Sequence, residues 1–338
     1  MWAYVARRVM IGLVLLIALT LVTFMLFFAA PVNQARLACG KICTEEQIAT
    51  TEKALGYDRP FYAQWASFVK GIVAGRQYPL DPELREAAPE IVTDCSAPCF
   101  GYSQYNAKTV NELTKAAAPV TISLAVVAVI IWLLFGVLLG IMAAITKGTI
   151  LDRGIVGITL IAFAFPTFFI GVFFLKYVVV KWGVFDYPQY VSIAEGGVGP
   201  WLSNLFLPAF TLALVFLASY VRITRAFVLE SLSEDYIRTA RAKGLKGRTI
   251  LFKHALRAAL TPLVTMTGLD FATLLGGAII TETVFAYPGL GLLTVEASAA
   301  WDLPTIIGVV LLAGGFVILM NIIVDIAYAF IDPRVRLG

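Results

Sequence analysis

The sequence predicts an all-α integral membrane protein with six transmembrane helices. Of its 338 residues, 59% are hydrophobic and only 14% are charged, whereas a soluble domain carries about 25% charged residues. Crossing a bilayer takes about 20 mainly apolar residues, and six segments are long enough. These segments run over residues 9–30, 119–145, 154–180, 205–227, 259–281 and 305–330. The formal net charge is only +4 and the basic residues lie beside apolar segments, so we do not expect nucleic-acid binding.

The six segments divide the chain into four regions. Residues 1–30 form the N-terminal end and the first span, which is longer than the apolar core of a signal peptide and is expected to be retained. Residues 31–118 form an extracytoplasmic subdomain, residues 119–330 a core of five helices, and residues 331–338 a tail.

The distribution of Lys and Arg predicts that both termini are cytoplasmic. Basic residues flank one set of segment ends, including Arg7, Arg8 and the loop at 228–258. On the opposite side, residues 282–304 contain no Lys or Arg. Because short basic loops stay on the cytoplasmic side, we expect the loop at 228–258 to face the cytoplasm.

All four cysteines lie in the segment predicted to be external. They are Cys39, Cys43, Cys95 and Cys99. An oxidising compartment favours one or two disulfides among them, and three pairings are open. The alternative is a four-cysteine metal site, but the CxxxC spacing is looser than in common zinc sites, so we expect no bound metal.

The external segment itself has mixed patterning. Residues 44–56 predict a helix capped by Thr44 and ended by Gly56. Residues 60–74 are amphipathic, and their apolar face either lies on the membrane or covers a small core. Residues 75–106 are rich in Pro, Gly and Asp and are typical of a loop.

The basic loop at 228–258 predicts two short helices that meet at Gly244. Ser231 or Ser233 is positioned to cap the first helix, and Gly244 to end it. The second helix begins near Arg248 and continues into the fifth span. Thr239, Ala240 and Ala242 are small enough to let another backbone approach. On physical grounds alone, contact with anionic membrane lipid explains the positive charge equally well.

Four further residues interrupt the apolar segments. Pro166 predicts a kink or opening in the third span, either as a plain kink or as a hinge. Asp270, Asn321 and Pro166 are candidates for a transport pathway, where Asp270 would attract a cationic group such as a peptide amino terminus. The alternative for Asp270 is a structural bond to a neighbouring helix. Asp325, near a helix end, is expected to be structural.

The order of residues in the basic loop resembles a known family. Tyr236-Ile237-Arg238-Thr239-Ala240-Arg241-Ala242-Lys243-Gly244 is similar to the EAA loop of binding-protein-dependent ABC importer permeases, in the dipeptide and oligopeptide branch. The likeness extends along the chain. Further matching positions are residues 55–60, Gly148 with Leu151, Asp152 and Arg153, residues 165–168, residues 282–285 and 288–291, Asn321, Asp325 and Tyr328, and residues 332–336.

This resemblance implies a type I ABC importer permease fold in the bacterial inner membrane. It implies that the first loop helix docks on a cytoplasmic ATPase, with Tyr236, Arg238–Lys243 and Gly244 forming the coupling surface. The expected partners are a second permease subunit, two ATPase subunits that bind ATP and Mg²⁺, an external solute-binding protein and a peptide. The chain itself is expected to hold no cofactor.

The sequence contains no catalytic pattern and no phosphate-binding loop, which argues against an enzyme active site in this chain. Three other functions stay open. The same machinery could import nickel or haem, the chain could be an ATP-independent carrier or channel, or residues 31–118 could be an anchored binding module. The absence of inverted repeats argues against a secondary carrier.

Overall fold

A computed structural model describes residues 2–29, 33–39 and 43–331, mostly as helix. The first helices are α1 (Trp2–Ala29), α2 (Gln34–Cys39), α3 (Glu45–Leu55), α4 (Phe61–Ala74), α5 (Pro82–Ala87), α6 (Val110–Ile145), α7 (Ile150–Ala164) and α8 (Thr167–Phe173). The later helices are α9 (Ile193–Gly196), α10 (Val198–Ser233), α11 (Asp235–Ala242), α12 (Gly247–Thr249), α13 (Leu256–Gly277), α14 (Ile279–Phe285), α15 (Leu290–Ala299) and α16 (Leu303–Ile331).

Short non-α elements complete the described chain. The strands are β1 (Arg76–Tyr78), β2 (Thr93–Cys95), β3 (Tyr102–Ser103) and β4 (Lys108–Thr109). A 3-10 turn covers Pro89–Ile91, and π-helical stretches cover Phe174–Lys181 and Ile250–Ala255.

All six predicted spans are helical, but the count of six crossings stays a prediction. Within the described residues, four helices are long and apolar enough to cross a membrane, namely α1, α6, α10 and α16. A fifth crossing follows if α7 and the helical stretch after Pro166 are counted together. Helix α13 covers most of the predicted fifth span without meeting the same criterion.

Pro166 breaks the predicted third span as expected. Helix α7 ends at Ala164, and the chain turns by 97° into the helical segment Thr167–Lys181. Proline lacks a backbone N–H and disfavours helical geometry in the residue before it, and Phe165 is accordingly extended, with φ −90° and ψ 135°. The break leaves two shorter helices in place of one continuous span.

The backbone divides into two compact units. One comprises the chain up to Val120 together with Pro288–Leu319, and the other comprises Thr121–Tyr287 together with the chain from Met320 onward. The first unit contains the predicted external subdomain. The second contains the basic loop, Pro166 and Asp270.

Helix α3 in the first unit forms as its sequence predicts. The Thr44 hydroxyl accepts a hydrogen bond from the Gln47 backbone N–H, while the Gln47 side chain accepts one from the Thr44 N–H. Gly56 ends the helix with a positive φ of 72°. Both ends of α3 are therefore fixed by local hydrogen bonds, before any packing is considered.

The loop prediction for residues 75–106 was wrong in part. Strand β1 pairs antiparallel with β2, so that Arg76 lies opposite Cys95, and β3 pairs antiparallel with β4. Helix α5 lies between β1 and β2, starting at Pro82 behind an Asp81 cap. Turn-rich composition hid these elements because each strand is only two or three residues long.

Two disulfides link neighbouring cysteines along the chain. Cys39 bonds to Cys43 and Cys95 bonds to Cys99. This pairing is one of the three that the sequence left open. It also removes the thiolates that a four-cysteine metal site would need.

The apolar face of α4 packs on helices of its own unit. Phe68 is buried, and its ring centroid lies 4.8 Å from that of Phe24 on α1. The Trp65 indole N–H donates to the Thr20 hydroxyl over 3.1 Å. Ile307 of α16 belongs to the same apolar cluster. Helix α4 thus covers a core formed with α1 and α16.

Helix α10 is the central element of the second unit. It packs against α7, α8, α13 and α14. It also approaches α6 closely, because Gly136 and Gly140 leave no side chain in the way. A Cβ added at Gly140 would lie 2.6 Å from the Thr224 Cβ and 2.8 Å from the Val221 carbonyl oxygen. Small residues permit this backbone contact between helices in lipid.

We expect Gly140→Ala to destabilise the protein by about 1–3 kcal/mol, since the added methyl group forces α6 away from α10. The measurement is the apparent unfolding temperature in detergent, which should fall by several degrees. Gly154→Ala on α7 is the matched control, because nothing lies within 4 Å of its added Cβ. Equal unfolding temperatures for the two variants would contradict the close contact.

Candidate functional site

The short helix α11 is held against the chain that follows it. Its buried side chains, Ile237 and Ala240, pack with Ile250 and Ala255 of the π-helical stretch. The Tyr236 hydroxyl lies 2.7 Å from the Ser231 hydroxyl, which donates to the Ala255 carbonyl oxygen. These contacts fix both the position of α11 and the face that it turns outward.

That outward face contains most of the predicted coupling residues. Exposed positions are Tyr236, Arg238, Thr239, Arg241, Ala242, Lys243 and Gly244. Arg238 forms an ion pair of 3.3 Å with Asp235, but both side chains are solvent-exposed, so the pair contributes little to stability. The surface is therefore basic and solvent-exposed, with small side chains at Thr239 and Ala242, and a partner can contact it.

Ala240 does not serve as predicted. It is only 7% exposed and packs inside the chain's own apolar cluster. The sequence pattern identified its small size correctly but assigned it to the wrong face, because Ile237 sets which side of α11 turns inward. Close approach by another backbone is left to Thr239 and Ala242.

The predicted serine caps of α11 were also wrong. Ser231 belongs to α10 and bonds inward, and the Ser233 hydroxyl donates to the Glu230 carbonyl oxygen over 2.6 Å. The residue that precedes α11 is Glu234, in an extended conformation and without a side-chain cap. Helix α10 continues further than expected and uses the serines itself.

Gly244 ends α11 in the manner that the sequence predicts. Its φ is 77°, and its N–H donates to the Arg241 carbonyl oxygen over 2.9 Å. The Leu245 N–H donates to the Ala240 carbonyl oxygen over 3.3 Å. This pair of bonds is a Schellman motif, which needs a left-handed residue at the glycine position. Helix α12 then starts at Gly247, close to the predicted second helix.

An ion pair that sequence reasoning missed joins α7 to α10. The Arg225 Nε donates to Asp152 Oδ1 over 2.7 Å, and a second guanidinium N–H donates to Asp152 Oδ2 over 2.8 Å. Asp152 also accepts the Gly148 backbone N–H over 2.9 Å. Two-point geometry of this kind is strong and directional. An arginine within an apolar helix was the available signal that a carboxylate partner exists.

Asp270 contacts a neighbouring helix. The Tyr220 hydroxyl on α10 donates to Asp270 Oδ2 over 2.7 Å and lies 3.3 Å from the Thr267 hydroxyl. Tyr220 is buried, whereas Asp270 is partly exposed. The hydrogen bond favours the structural alternative, while the partial exposure leaves room for a pathway role.

The other residues that interrupt the apolar segments are dispersed. Pro166 is exposed at the break before α8, and Asn321 is partly exposed on α16. Asp325 belongs to the α16 backbone, but its side chain lies outside the described residues. The structure brings none of these three together with Asp270 in a described contact.

A second missed feature is the buried carboxylate of Glu282 on α14. It is 0% exposed, and the Thr121 hydroxyl on α6 donates to its Oε1 over 2.7 Å. Nearby in the chain, the Tyr287 hydroxyl donates to the Asn204 carbonyl oxygen over 2.8 Å. A carboxylate in an apolar helix is costly unless bonded, so its presence in the sequence was a usable signal.

Family comparisons cover nearly the whole chain. The family model described as binding-protein-dependent transport system inner membrane component matches residues 136–337. The model for the N-terminal region of these transport-system membrane components matches residues 1–125.

Two relatives match over their full lengths. One is a probable peptide ABC transporter permease protein of Sinorhizobium fredii, 34% identical over 336 residues that cover 99% of this chain and 100% of the relative. Another is the dipeptide transport system permease protein DppB of Escherichia coli K12, 31% identical over 359 residues that cover 99% of both chains.

The fold is also shared with a solved structure. An inward-facing form of the MetNI methionine ABC transporter matches with a TM-score of 0.53 and 19% identity, covering 65% of this chain and 97% of the matched one. Together, these matches show that the chain belongs to the binding-protein-dependent transport-system inner-membrane components, as a multi-pass permease of an ABC importer.

Proposed function

We propose that this permease imports peptides, from dipeptides to oligopeptides. The observation that carries the proposal is the full-length match to relatives named as peptide and dipeptide permeases. The external segment, which contains two local disulfides, lies within that match. The chain forms half of the translocation pathway, and the other half comes from a second permease subunit.

The proposed partners supply the energy and the cargo. Two cytoplasmic ATPase subunits bind ATP and Mg²⁺, and an external solute-binding protein delivers the peptide. Both chain termini are cytoplasmic, on the side of the basic loop. The support for this arrangement is the membership in a binding-protein-dependent family and the Lys and Arg distribution.

The coupling surface in this proposal is the exposed face of α11. Arg241 and Lys243 give it positive charge. Thr239 and Ala242 have small side chains, which lets this face of the helix fit into a groove on the ATPase. The Ile237 and Ala240 contacts support a rigid attachment, so that a push on α11 is carried into α13 and α10. A basic helix lying on anionic lipid is the competing interpretation.

Purification of the complex from its native membrane tests the cargo. We expect a second permease, ATPase subunits and a solute-binding protein to co-purify, and peptides to raise ATP hydrolysis of the reconstituted complex several-fold. Nickel and haem are tested in the same assay. Stimulation by one of these and not by peptides would overturn the peptide assignment, and transport by this chain alone would overturn the importer assignment.

Replacement of Gly244 tests the coupling surface. We expect Gly244→Val to lower peptide transport per ATP hydrolysed several-fold, because a side chain at positive φ strains the end of α11 by about 1–2 kcal/mol. Gly247→Val is the matched control, since its φ is not positive and neither glycine has an atom within 4 Å of an added Cβ. Normal coupling in Gly244→Val would count against the proposal.

Charge reversal distinguishes an ATPase from lipid as the partner of α11. Arg241→Glu with Lys243→Glu should weaken association with the ATPase subunits at least tenfold while the permease stays inserted. The external pair Lys53→Glu and Lys70→Glu, also exposed, makes the same charge change away from α11. Unchanged ATPase association with lost vesicle binding would instead identify α11 as a lipid contact.

Replacement of Asp270 tests the pathway role. Asp270→Asn removes the charge but keeps an oxygen that accepts from Tyr220, so we expect the preference for peptides with a free amino terminus over N-acetylated peptides to fall several-fold. Tyr220→Phe removes the hydrogen bond and keeps the charge. It should lower the unfolding temperature without changing the preference. An unaltered preference in Asp270→Asn would leave Asp270 with the structural role alone.

A further inference from the structure

The guanidinium group of Arg76, in the external part of the first unit, is enclosed by aromatic rings. Its carbon lies 5.2 Å from the Phe68 ring centroid and 5.5 Å from that of Tyr78. Its Nε donates to Cys99 Sγ over 3.4 Å, and a terminal N–H donates to the Cys99 carbonyl oxygen over 3.3 Å. The bond to the carbonyl oxygen is long for an N–H···O bond. Two of the five guanidinium N–H groups are occupied in this way among the described residues.

Among the residues that the structure describes, no carboxylate forms an ion pair with Arg76. Burial lowers the pKa of Arg76, and the neighbours that act against this shift are the hydroxyls of Tyr78 and Tyr57. Burial also raises the pKa of both tyrosines, so their hydroxyls stay protonated and able to donate. A partly buried charge without an ionic partner is costly, and an incoming anion would relieve that cost.

Arg76, Tyr57 and Tyr78 line a cavity of ≈ 80 Å³, which we call the Arg76 cavity. That space corresponds to the liquid volume of about three water molecules. Phe68 and Phe100 form apolar walls. Among the lining residues that the structure describes, the charged ones are Arg76 and Arg59. The cavity therefore presents donors and positive charge to whatever enters it.

A wider cavity adjoins the Arg76 cavity. It has a volume of ≈ 970 Å³ and shares Tyr57 and four other lining residues with the smaller cavity. Carboxylates occur here, since Asp302 and Glu296 line this space. The Asp302 carboxylate contributes to raising the pKa of Tyr57. Its Oδ2 already accepts hydrogen bonds from the Ser103 hydroxyl over 2.5 Å and from the Thr305 hydroxyl over 2.6 Å.

We propose that the Arg76 cavity is a binding site for the carboxylate end of a small solute, with Arg76 as the ionic partner and the Tyr57 and Tyr78 hydroxyls as further donors. A planar guanidinium fork matches the two oxygens of a carboxylate. Aromatic walls lower the local dielectric and strengthen that pairing. The cavity accommodates a carboxylate and a few attached atoms, while the rest of the solute occupies the wider cavity.

The site would read a carboxylate whether it belongs to a free acid or to a peptide. Acetate represents a free acid, and trialanine represents a peptide. Only the peptide as natural ligand rests on the proposed function. Trialanine amide lacks the carboxylate and keeps the remaining groups. Acetate binding by the full-length chain does not depend on which cargo is transported, so it tests the Arg76 cavity alone. Peptide-stimulated ATP hydrolysis tests the proposed function separately.

The test measures binding of these three compounds to the full-length chain in lipid nanodiscs. The readout is the broadening of the compounds' NMR lines at pH 7. We expect acetate and trialanine to bind and the amide to bind at least tenfold more weakly than trialanine. Arg76→Gln should weaken acetate binding at least tenfold. Tyr57→Phe removes only a hydroxyl and should weaken it several-fold, which keeps the test decisive if Arg76→Gln does not fold.

Matched controls lie on the outer surface of α4. Lys70→Gln removes an exposed cation, and Tyr62→Phe removes the hydroxyl of a side chain that is 71% exposed. Neither should change the affinity for acetate. Equal binding of trialanine and its amide would overturn the proposal. So would unchanged acetate affinity in a folded Arg76→Gln variant or in Tyr57→Phe.

Discussion

The close approach of α6 and α10 at Gly136 and Gly140 is the constraint on which the second unit depends. The hydrophobic effect does not drive helices together within lipid. Their association therefore depends on close backbone packing and on hydrogen bonds between polar side chains. Helix α10 lies against these glycines through Tyr220 and Thr224, and it also bonds to α7 through Arg225 and to α13 through the Tyr220 hydroxyl. Each of these bonds forms only when α10 has one particular orientation about its own axis. The glycine contact and the polar bonds therefore specify the same arrangement.

Hydropathy located the helical segments of this fold but not their ends. All six predicted spans are helical, yet α10 begins at Val198 and ends at Ser233, well beyond the predicted 205–227. Apolar content marks the part of a helix that lies in lipid, and a helix continues through polar residues as long as its backbone bonds are satisfied. The break at Pro166 was visible because proline acts locally. The 97° turn was not, because it depends on what α8 packs against.

In the candidate site, local features were predictable and long-range ones were not. Gly244 carries its own signal, since few residues other than glycine adopt a positive φ without strain. The orientation of Ala240 follows from Ile237 meeting Ile250 and Ala255, which no local rule contains. Asp152 and Arg225 are separated by 73 residues, so only the fold shows that they meet. The cysteines are an exception, since each bonds to a partner only four positions away, and yet the sequence did not decide among the three pairings.

The length of α10 gives it a mechanical property. Its 36 residues extend over about 54 Å, whereas the apolar part of a bilayer is about 30 Å thick. A rod of that length projects from the membrane, and α11 is attached to its end after a single residue. Gly140 contacts α10 at Val221 and Thr224, about 14 Å from the end that joins α11 and about 39 Å from the Val198 end. A small tilt about this contact therefore moves the Val198 end about three times as far as the end that joins α11. A displacement applied at α11 is therefore enlarged at the opposite end of the helix, while the force transmitted there is correspondingly smaller.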